Sequence, residues 1–169
     1  MSKNNERLSH AEFFLLVTKY FDYLIDSYGF SVTDEQTDSQ IDACELKMET
    51  QNWYVRIGHE YGYVYVHLGP YPTPRAQFGI GDIITFLEKG NKQSEILWFG
   101  PKRSDSLDYT SRIHNDLKWY ADTLRLYCER ISELFRENIF REVRAELDQW
   151  RKLREHRRIE SFNERKYPI

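Results

Sequence analysis

The longest uninterrupted feature of the sequence is its carboxyl-terminal run from Lys102 to Tyr167, which contains neither glycine nor proline. Apolar side chains in the first part of this run recur at alternating steps of four and three, the spacing that keeps one stripe of a helix against a partner surface. The stripe comprises Ile113, Leu117, Tyr120, Leu124, Tyr127, Ile131 and Leu134. A second stripe starts at Phe140, out of register with the first. We therefore expect a break near Asn138 and an antiparallel pair of helices.

The first hundred residues predict one helix followed by a small sheet. Ser9 and Glu12 have the spacing of a capping box, and Gly29 supplies a left-handed stop, so the helix is expected over 10–28. Alternation of apolar and polar residues predicts strands at 30–34, 41–49, 53–59 and 63–68, with a polar loop at 35–40. Further on, the sequence predicts a short helix at 82–89 and, at 95–99, either a fifth strand or a buried connector.

The pairing of these strands follows from their apolar positions. A turn at residues 61–62 sets Ile57 opposite Val66, and a turn at residues 50–51 sets Met48 opposite Trp53. Cys44 is expected to face the core. The fold class is therefore α+β, with an N-terminal helix on an antiparallel meander of about four strands, followed by a long C-terminal helical hairpin. We expect a single domain over residues 1–169, in which 1–100 form the helix and sheet and 101–169 the helical part.

Charge is distributed unevenly along the chain, whose net charge is −3. Residues 1–100 carry 14 acidic and eight basic side chains, whereas residues 141–169 carry nine basic and six acidic ones. The acidic balance argues against a nucleic-acid partner, although the segment 151–158 is basic. The two cysteines lack disulfide or zinc spacing, and no segment is typical of a signal peptide or membrane span. We expect a reduced, cytoplasmic protein without a metal or cofactor.

Two groups of side chains are candidates for binding a protein partner. Acidic residues concentrate between Asp34 and Glu49, where they can steer a basic partner. Tyrosine, arginine and histidine share the polar face of the last hairpin, and tyrosine and arginine are favoured at protein interfaces. An alternative for this face is burial under the carboxyl-terminal helices. The predicted partner-binding residues are Asp34, Asp38, Asp42, Glu45, Glu49, Tyr54, Arg56, Tyr63, Tyr65 and His67.

A catalytic alternative uses Asp34 on one strand and Glu45 and Lys47 on the next. Two carboxylates on neighbouring strands can hold Mg²⁺, and a lysine two residues further on can polarise a water molecule. This arrangement resembles the pattern of metal-dependent nucleases, in which an aspartate precedes a Glu-x-Lys strand. Thr33 stands where those nucleases usually have proline. The same Glu-x-Lys spacing is also typical of an ordinary solvated strand.

Residues 10–90 also resemble a broad group of small bacterial α+β proteins. The likeness rests on an aromatic first helix, Tyr-Gly-Phe at 28–30, a tyrosine-rich hairpin and Phe-Gly-Ile-Gly-Asp at 78–82. Some members of that group resemble immunity proteins that neutralise polymorphic toxins. The resemblance implies a non-enzymatic inhibitor of a basic toxin. A third hypothesis makes the carboxyl-terminal stripe a homodimer seam.

Overall fold

The opening helix, α1 (His10–Tyr28), begins and ends where its capping residues predict. The computed structural model describes residues 7–71, 76–88, 101 and 107–166, with side chains through residue 156. In it, Ser9 and Glu12 form both hydrogen bonds of the capping box. Gly29 ends the helix in the left-handed conformation, with φ 69°. The chain then turns so that the Phe30 ring packs edge-on against Trp53, 4.8 Å between centroids. The helix prediction is confirmed.

Five antiparallel strands follow in a meander, and their spatial order is their order in the chain. They are β1 (Ser31–Asp38), β2 (Ala43–Glu49), β3 (Trp53–Glu60), β4 (Tyr63–Pro70) and the short β5 (Phe78–Gly79). The α+β class predicted from sequence is confirmed. The segment 95–99, expected to be either a fifth strand or a buried connector, lies outside the described residues, and the fifth strand of the sheet is β5.

The sheet has an apolar face against the helices and a polar face, here called the outer face. Buried members of the apolar face on β2, β3 and β4 are Cys44, Leu46, Met48, Trp53, Val55, Ile57, His59, Val64, Val66 and Leu68. The outer face carries Glu45, Lys47 and Glu49 on β2, Tyr54 and Arg56 on β3, and Tyr63, Tyr65 and His67 on β4. Burial of one face therefore fixes the register, because a shift by one residue would exchange the two sets.

Two strand predictions need correction. The segment Glu35–Asp38 was expected to be loop, but β1 continues through it, because pairing with β2 stabilises a stretch whose own composition is polar. The register of β3 with β4 is confirmed, with Ile57 opposite Val66. Met48, however, lies opposite Val55 rather than Trp53. The centre of the turn lies one residue further along the chain than expected, so the β3 partner of each β2 residue is shifted by two. This even offset keeps every side chain on its predicted face.

Three further helices lie in the described part of the chain: α2 (Ile80–Leu87), α3 (Tyr109–Leu134) and α4 (Glu137–Lys166). Asp108 caps α3, its carboxylate accepting from the Ser111 amide. The break between α3 and α4 falls at residues 135–136, close to the predicted position. α4 then continues to Lys166.

The helices pack on the apolar face. α1 joins α3 through the Tyr23 hydroxyl, which donates to the Ala121 carbonyl at 3.1 Å, and α4 begins beside β5, with the Phe140 and Phe78 rings 6.2 Å apart. The predicted stripe on α3 lies in this core, and one hydrophobic cluster includes side chains of both halves of the chain. The described helices therefore lie on the side of the sheet opposite the outer face. Within the described residues, the expectation that the carboxyl-terminal helices partly cover the tyrosines of the outer face is wrong. None of the described helices has the length and apolar character of a membrane span.

Candidate functional site

Ion pairs and a hydrogen bond connect the charged side chains at the centre of the outer face. Arg56 Nη1 lies 3.5 Å from Glu45 Oε1, and the Tyr65 hydroxyl donates to Glu45 Oε2 at 3.2 Å. Beside them, Lys47 pairs with Glu49. Because these contacts join β2, β3 and β4, each side chain is held by a neighbour on the same face. The result is a preorganised array of charges that spans three strands.

Two tyrosine rings on the outer face lie across glycines of the neighbouring strand. Tyr65 is opposite Gly58, and a Cβ built on that glycine would come within 2.4 Å of the tyrosine oxygen. Tyr54 is opposite Gly69 in the same way, at 2.5 Å, and its hydroxyl donates to the Ala76 carbonyl at 3.3 Å. Only glycine leaves room for a ring in this position. Tyr54 is 1% exposed, so it supports the face and does not offer its ring to a partner.

The exposed aromatic side chains lie at the two ends of this face. Tyr63 is 58% exposed, near the start of β4, and Tyr71 is 45% exposed, just after its end. Lys47 lies between the rings of Tyr54 and Tyr71, its Nζ 5.5 and 5.8 Å from their centroids. Tyr71 was missed from the sequence because prolines surround it. The alternation of side chains between the two faces of β4 continues past Gly69. It could therefore have placed Tyr71, two residues further on, on the outer face.

His67 lies at the β5 border of the outer face. Gln77 Nε2 is 2.6 Å from His67 Nδ1, and the Asp82 carboxylate nearby is paired with Arg154 of α4. Burial lowers the pKa of His67, while the charge of Asp82 acts in the opposite direction. The Arg154 guanidinium lies against the backbone of Gly81, where a Cβ would be 2.7 Å from Nη2. α4 is thus attached at this border of the sheet.

Nine of the ten predicted binding residues share the outer face, and Asp42 is the exception. Asp34 and Asp38 reach this face from β1, the strand at its border. Asp42 occupies the turn between β1 and β2, with φ 49°, and contacts Arg7 and the Tyr109 hydroxyl beside the start of α3. Burial raises the pKa of Tyr109 to about 12, and the negative charge of the Asp42 carboxylate contributes to this increase. Asp42 therefore connects the turn between β1 and β2 to the start of α3, away from the outer face.

The Tyr65 hydroxyl at the centre of the outer face keeps its proton at neutral pH. Burial is the main cause that raises the pKa of Tyr65, and the negative charge of Glu45 adds to it. The tyrosine therefore stays protonated at neutral pH and keeps donating its hydrogen bond. In the part of the chain that the structure describes, no group of three His, Cys, Asp or Glu side chains is placed to hold a metal ion.

The residues of the catalytic alternative lie on one face but have other partners. Asp34 is opposite Lys47, and Glu45 is opposite Gln36. The Asp34 carboxylate accepts from the Gln36 amide at 2.7 Å. The Glu45 carboxylate is held by the arginine and tyrosine described above, and Lys47 by an acid on its own strand. The register thus brings the three together on one side of the sheet without converging their charged atoms on a metal site.

The basic segment at 151–158 is partly engaged within the chain. Arg151 donates to the Gln77 carbonyl at 3.3 Å and lies 3.6 Å from Asp148, while Arg154 pairs with Asp82. Arg151 and Arg154 therefore bind carboxylates and a backbone carbonyl of the same chain. The expectation that nucleic acid is not the partner rests on overall charge and stays a prediction.

Comparison with known proteins gives no match: no family model fits the chain, and no curated protein and no solved structure is significantly similar to it.

Proposed function

We propose that the chain is a cytoplasmic, non-enzymatic protein-binding module of bacterial origin, which inhibits a basic partner in the manner of immunity proteins and antitoxins. The observation that carries the proposal is the outer face itself. The described helices all lie on the other side of the sheet, and this side presents a fixed array of acids, tyrosines and one arginine. Such residue types are characteristic of protein interfaces.

Preorganisation supports this function. Glu45, Arg56 and Tyr65 hold one another in place before any partner arrives. A binding surface whose side chains are already ordered loses less entropy on association. The exposed rings of Tyr63 and Tyr71 flank this ordered centre and serve as the anchors that a partner covers.

Charge supports a basic partner. Asp34 and Asp38 stand at the border of the outer face, and both are exposed. Acids concentrated on one side of a protein raise the rate at which a basic partner is captured. The acidic side chains therefore provide steering, while the tyrosines provide buried contact area.

Metal-dependent nuclease activity is the alternative, and the contacts of Glu45 count against it. Its carboxylate would have to leave Arg56 and Tyr65 to bind Mg²⁺. Incubation of purified protein with DNA and RNA in Mg²⁺ tests this alternative directly. Cleavage that disappears in Glu45→Ala would establish the nuclease and overturn the binding proposal.

Affinity capture with matched variants tests the binding proposal. The full chain, the outer-face variant Y63A/Y71A and the control L15A/L126A are used as baits in lysate of the source cells. The control side chains are 72% and 80% exposed but lie on α1 and α3, away from the outer face. We expect a stoichiometric basic protein with the full chain and the control, and its loss with Y63A/Y71A.

The captured protein is then assayed alone and with the chain. Loss of its activity on binding supports inhibition. Failure to find a stoichiometric partner, or equal capture by Y63A/Y71A, would overturn the proposed function.

A further inference from the structure

The free edge of the sheet is formed by β1. β1 is the first strand in the spatial order, and among the described residues it pairs with β2 alone. It runs for eight residues, Ser31–Asp38, and every one of them is exposed. An edge strand of this kind presents a row of backbone N–H and C=O groups to which another extended chain can pair.

A bulge in β1 determines which way its side chains point. The register with β2 shifts between Val32 and Asp34, so Thr33 is an extra residue. Beyond this shift, Asp34 and Asp38 lie on the outer face, whereas Glu35 lies opposite Leu46 on the other side. Alternation along the strand places carboxylates on both sides of the free edge, and the bulge decides that Asp34 and Asp38 are the ones on the outer face.

These carboxylates are available for a partner. Asp34 is in contact with the neutral amide of Gln36, and Asp38 accepts from the backbone N–H of Gln40. Within the described part of the chain, no Lys or Arg forms an ion pair with Asp34, Glu35 or Asp38. The central acids Glu45 and Glu49 do have such partners. Uncompensated negative charge is therefore concentrated along the unpaired edge.

Charge also decides which chain fits there. A second copy pairing through β1 would set its acidic strand beside an equally acidic strand, and like charges across a strand pair are destabilising. An extended segment with basic side chains has the opposite effect, because it satisfies the backbone groups and neutralises the carboxylates.

We propose that β1 docks an extended, basic segment of a partner protein, which becomes a sixth strand of the sheet. This inference rests on the proposed function and specifies where the partner binds. Asp34 and Asp38 are four residues apart on one face, about 13 Å along an extended strand. The segment therefore carries Lys or Arg side chains four residues apart on the outer face, and Glu35 takes a cation on the other side. Backbone hydrogen bonds supply affinity, and the carboxylates select the basic sequence.

The direct test uses the full chain and a capped eight-residue peptide that alternates lysine and threonine. Amide hydrogen exchange, measured with and without the peptide, should slow within β1 and leave α3 unchanged. The triple variant D34N/E35Q/D38N should bind about fivefold more weakly, because it removes the two exposed ion pairs that Asp34 and Asp38 form with the lysines of this peptide, together with the nearby charge of Glu35. The control D26N/E129Q/E142Q removes the same charge from exposed positions on α1, α3 and α4 and should bind within about twofold of the full chain.

A charge exchange makes the test independent of net charge. D34K/D38K should lose the lysine peptide and bind a matching peptide that alternates glutamate and threonine. Absence of protection in β1, or equal weakening by the two triple variants, would overturn the docking proposal. The proposed function fails separately, since it depends on capture of a partner through Tyr63 and Tyr71. A partner lost in Y63A/Y71A but retained by D34N/E35Q/D38N would leave the function intact and reject β1 as the docking edge.

Discussion

At the scale of single residues, the outer face depends on two glycines that make room for tyrosine rings. A Cβ on Gly58 would lie 2.4 Å from the Tyr65 oxygen and 2.7 Å from the Cys44 carbonyl oxygen. The tyrosine can rotate away, but the backbone carbonyl is fixed by strand pairing. The carbonyl oxygen of Cys44 therefore makes glycine necessary at this position.

We expect Gly58→Ala to lower the free energy of unfolding by about 2 kcal/mol, the usual effect of forcing a methyl group into a packed site. Gly29→Ala is the matched control, because a Cβ there meets nothing within 4 Å and suffers only from the positive φ of 69°. Its expected loss is about 1 kcal/mol. Urea denaturation of both variants measures the difference, and a smaller loss in G58A than in G29A would contradict the packing argument.

The buried histidine on the apolar face predicts a pH dependence of stability. His59 is fully buried, its ring lies 4.7 Å from that of Phe13, and neither ring nitrogen has a hydrogen-bond partner among the described residues. Burial lowers the pKa of His59 in the folded chain. The unfolded chain therefore binds the proton more readily, so stability is complete above the ordinary histidine pKa and falls as the pH drops below about 6.5.

His59→Leu should remove much of this dependence. We expect the variant to exceed the natural chain in free energy of unfolding by about 1 kcal/mol or more at pH 5, because a buried polar group without a partner is unfavourable even when uncharged. The excess should shrink at pH 8. Urea denaturation at the two pH values measures it, and parallel pH profiles would reject His59 as the titrating group.

At the scale of secondary-structure elements, α4 is attached to α2 by polar contacts. Arg154 pairs with Asp82 at the start of α2, and the Trp150 indole N–H donates to Thr85 Oγ1 at 3.2 Å. Both ion-pair partners are largely buried, with side-chain exposures of 16% and 19%. Loss of one partner therefore leaves a carboxylate in poorly solvated surroundings.

Arg154→Met keeps the aliphatic part of the side chain and removes its charge. We expect faster amide exchange in α4 around residue 150, with exchange in α1 unchanged, and a loss of about 2 kcal/mol in the free energy of unfolding. Lys152→Met is the control, since that residue is exposed. Hydrogen exchange with mass spectrometry distinguishes the two, and equal effects would show that the ion pair does not attach α4.

Elements with local signals were predictable, and elements that depend on a neighbour were not. The bounds of α1 follow from Ser9, Glu12 and Gly29, all of which act within one turn of the helix. The second half of β1 has no such signal. Its strand conformation depends on hydrogen bonds to β2, so polar composition led to the wrong prediction of a loop.

At the scale of the whole molecule, the apolar stripe of α3 is used within one chain. Ile113, Leu117, Leu124 and Ile131 are 0% exposed, in a core shared with α1 and the sheet. A homodimer seam needs these side chains on the surface. The apolar residues that were proposed as a homodimer seam are therefore already buried within one chain.

We expect the protein to be monomeric at micromolar concentration. Light scattering after size-exclusion chromatography should give the mass of one chain, with no dependence on dilution. A stable dimer mass would show that another surface joins two copies. Charge repulsion along β1 makes that strand a poor choice for self-pairing.

Sequence alone determined the α+β class, the limits of α1, and which residues of the central strands face inward or outward, since helix caps and a period of two act over a few residues. It also placed the tyrosines, arginine and histidine of the last hairpin together on the polar face. Only the tertiary structure decided that the carboxyl-terminal helices join α1 on the apolar side, that Tyr54 is covered while Tyr63 is exposed, and that β1 is an acidic free edge among the described strands. These outcomes depend on which distant surfaces meet. The total apolar area buried by the whole chain determines which arrangement is most stable. A pattern over a few residues therefore cannot predict it.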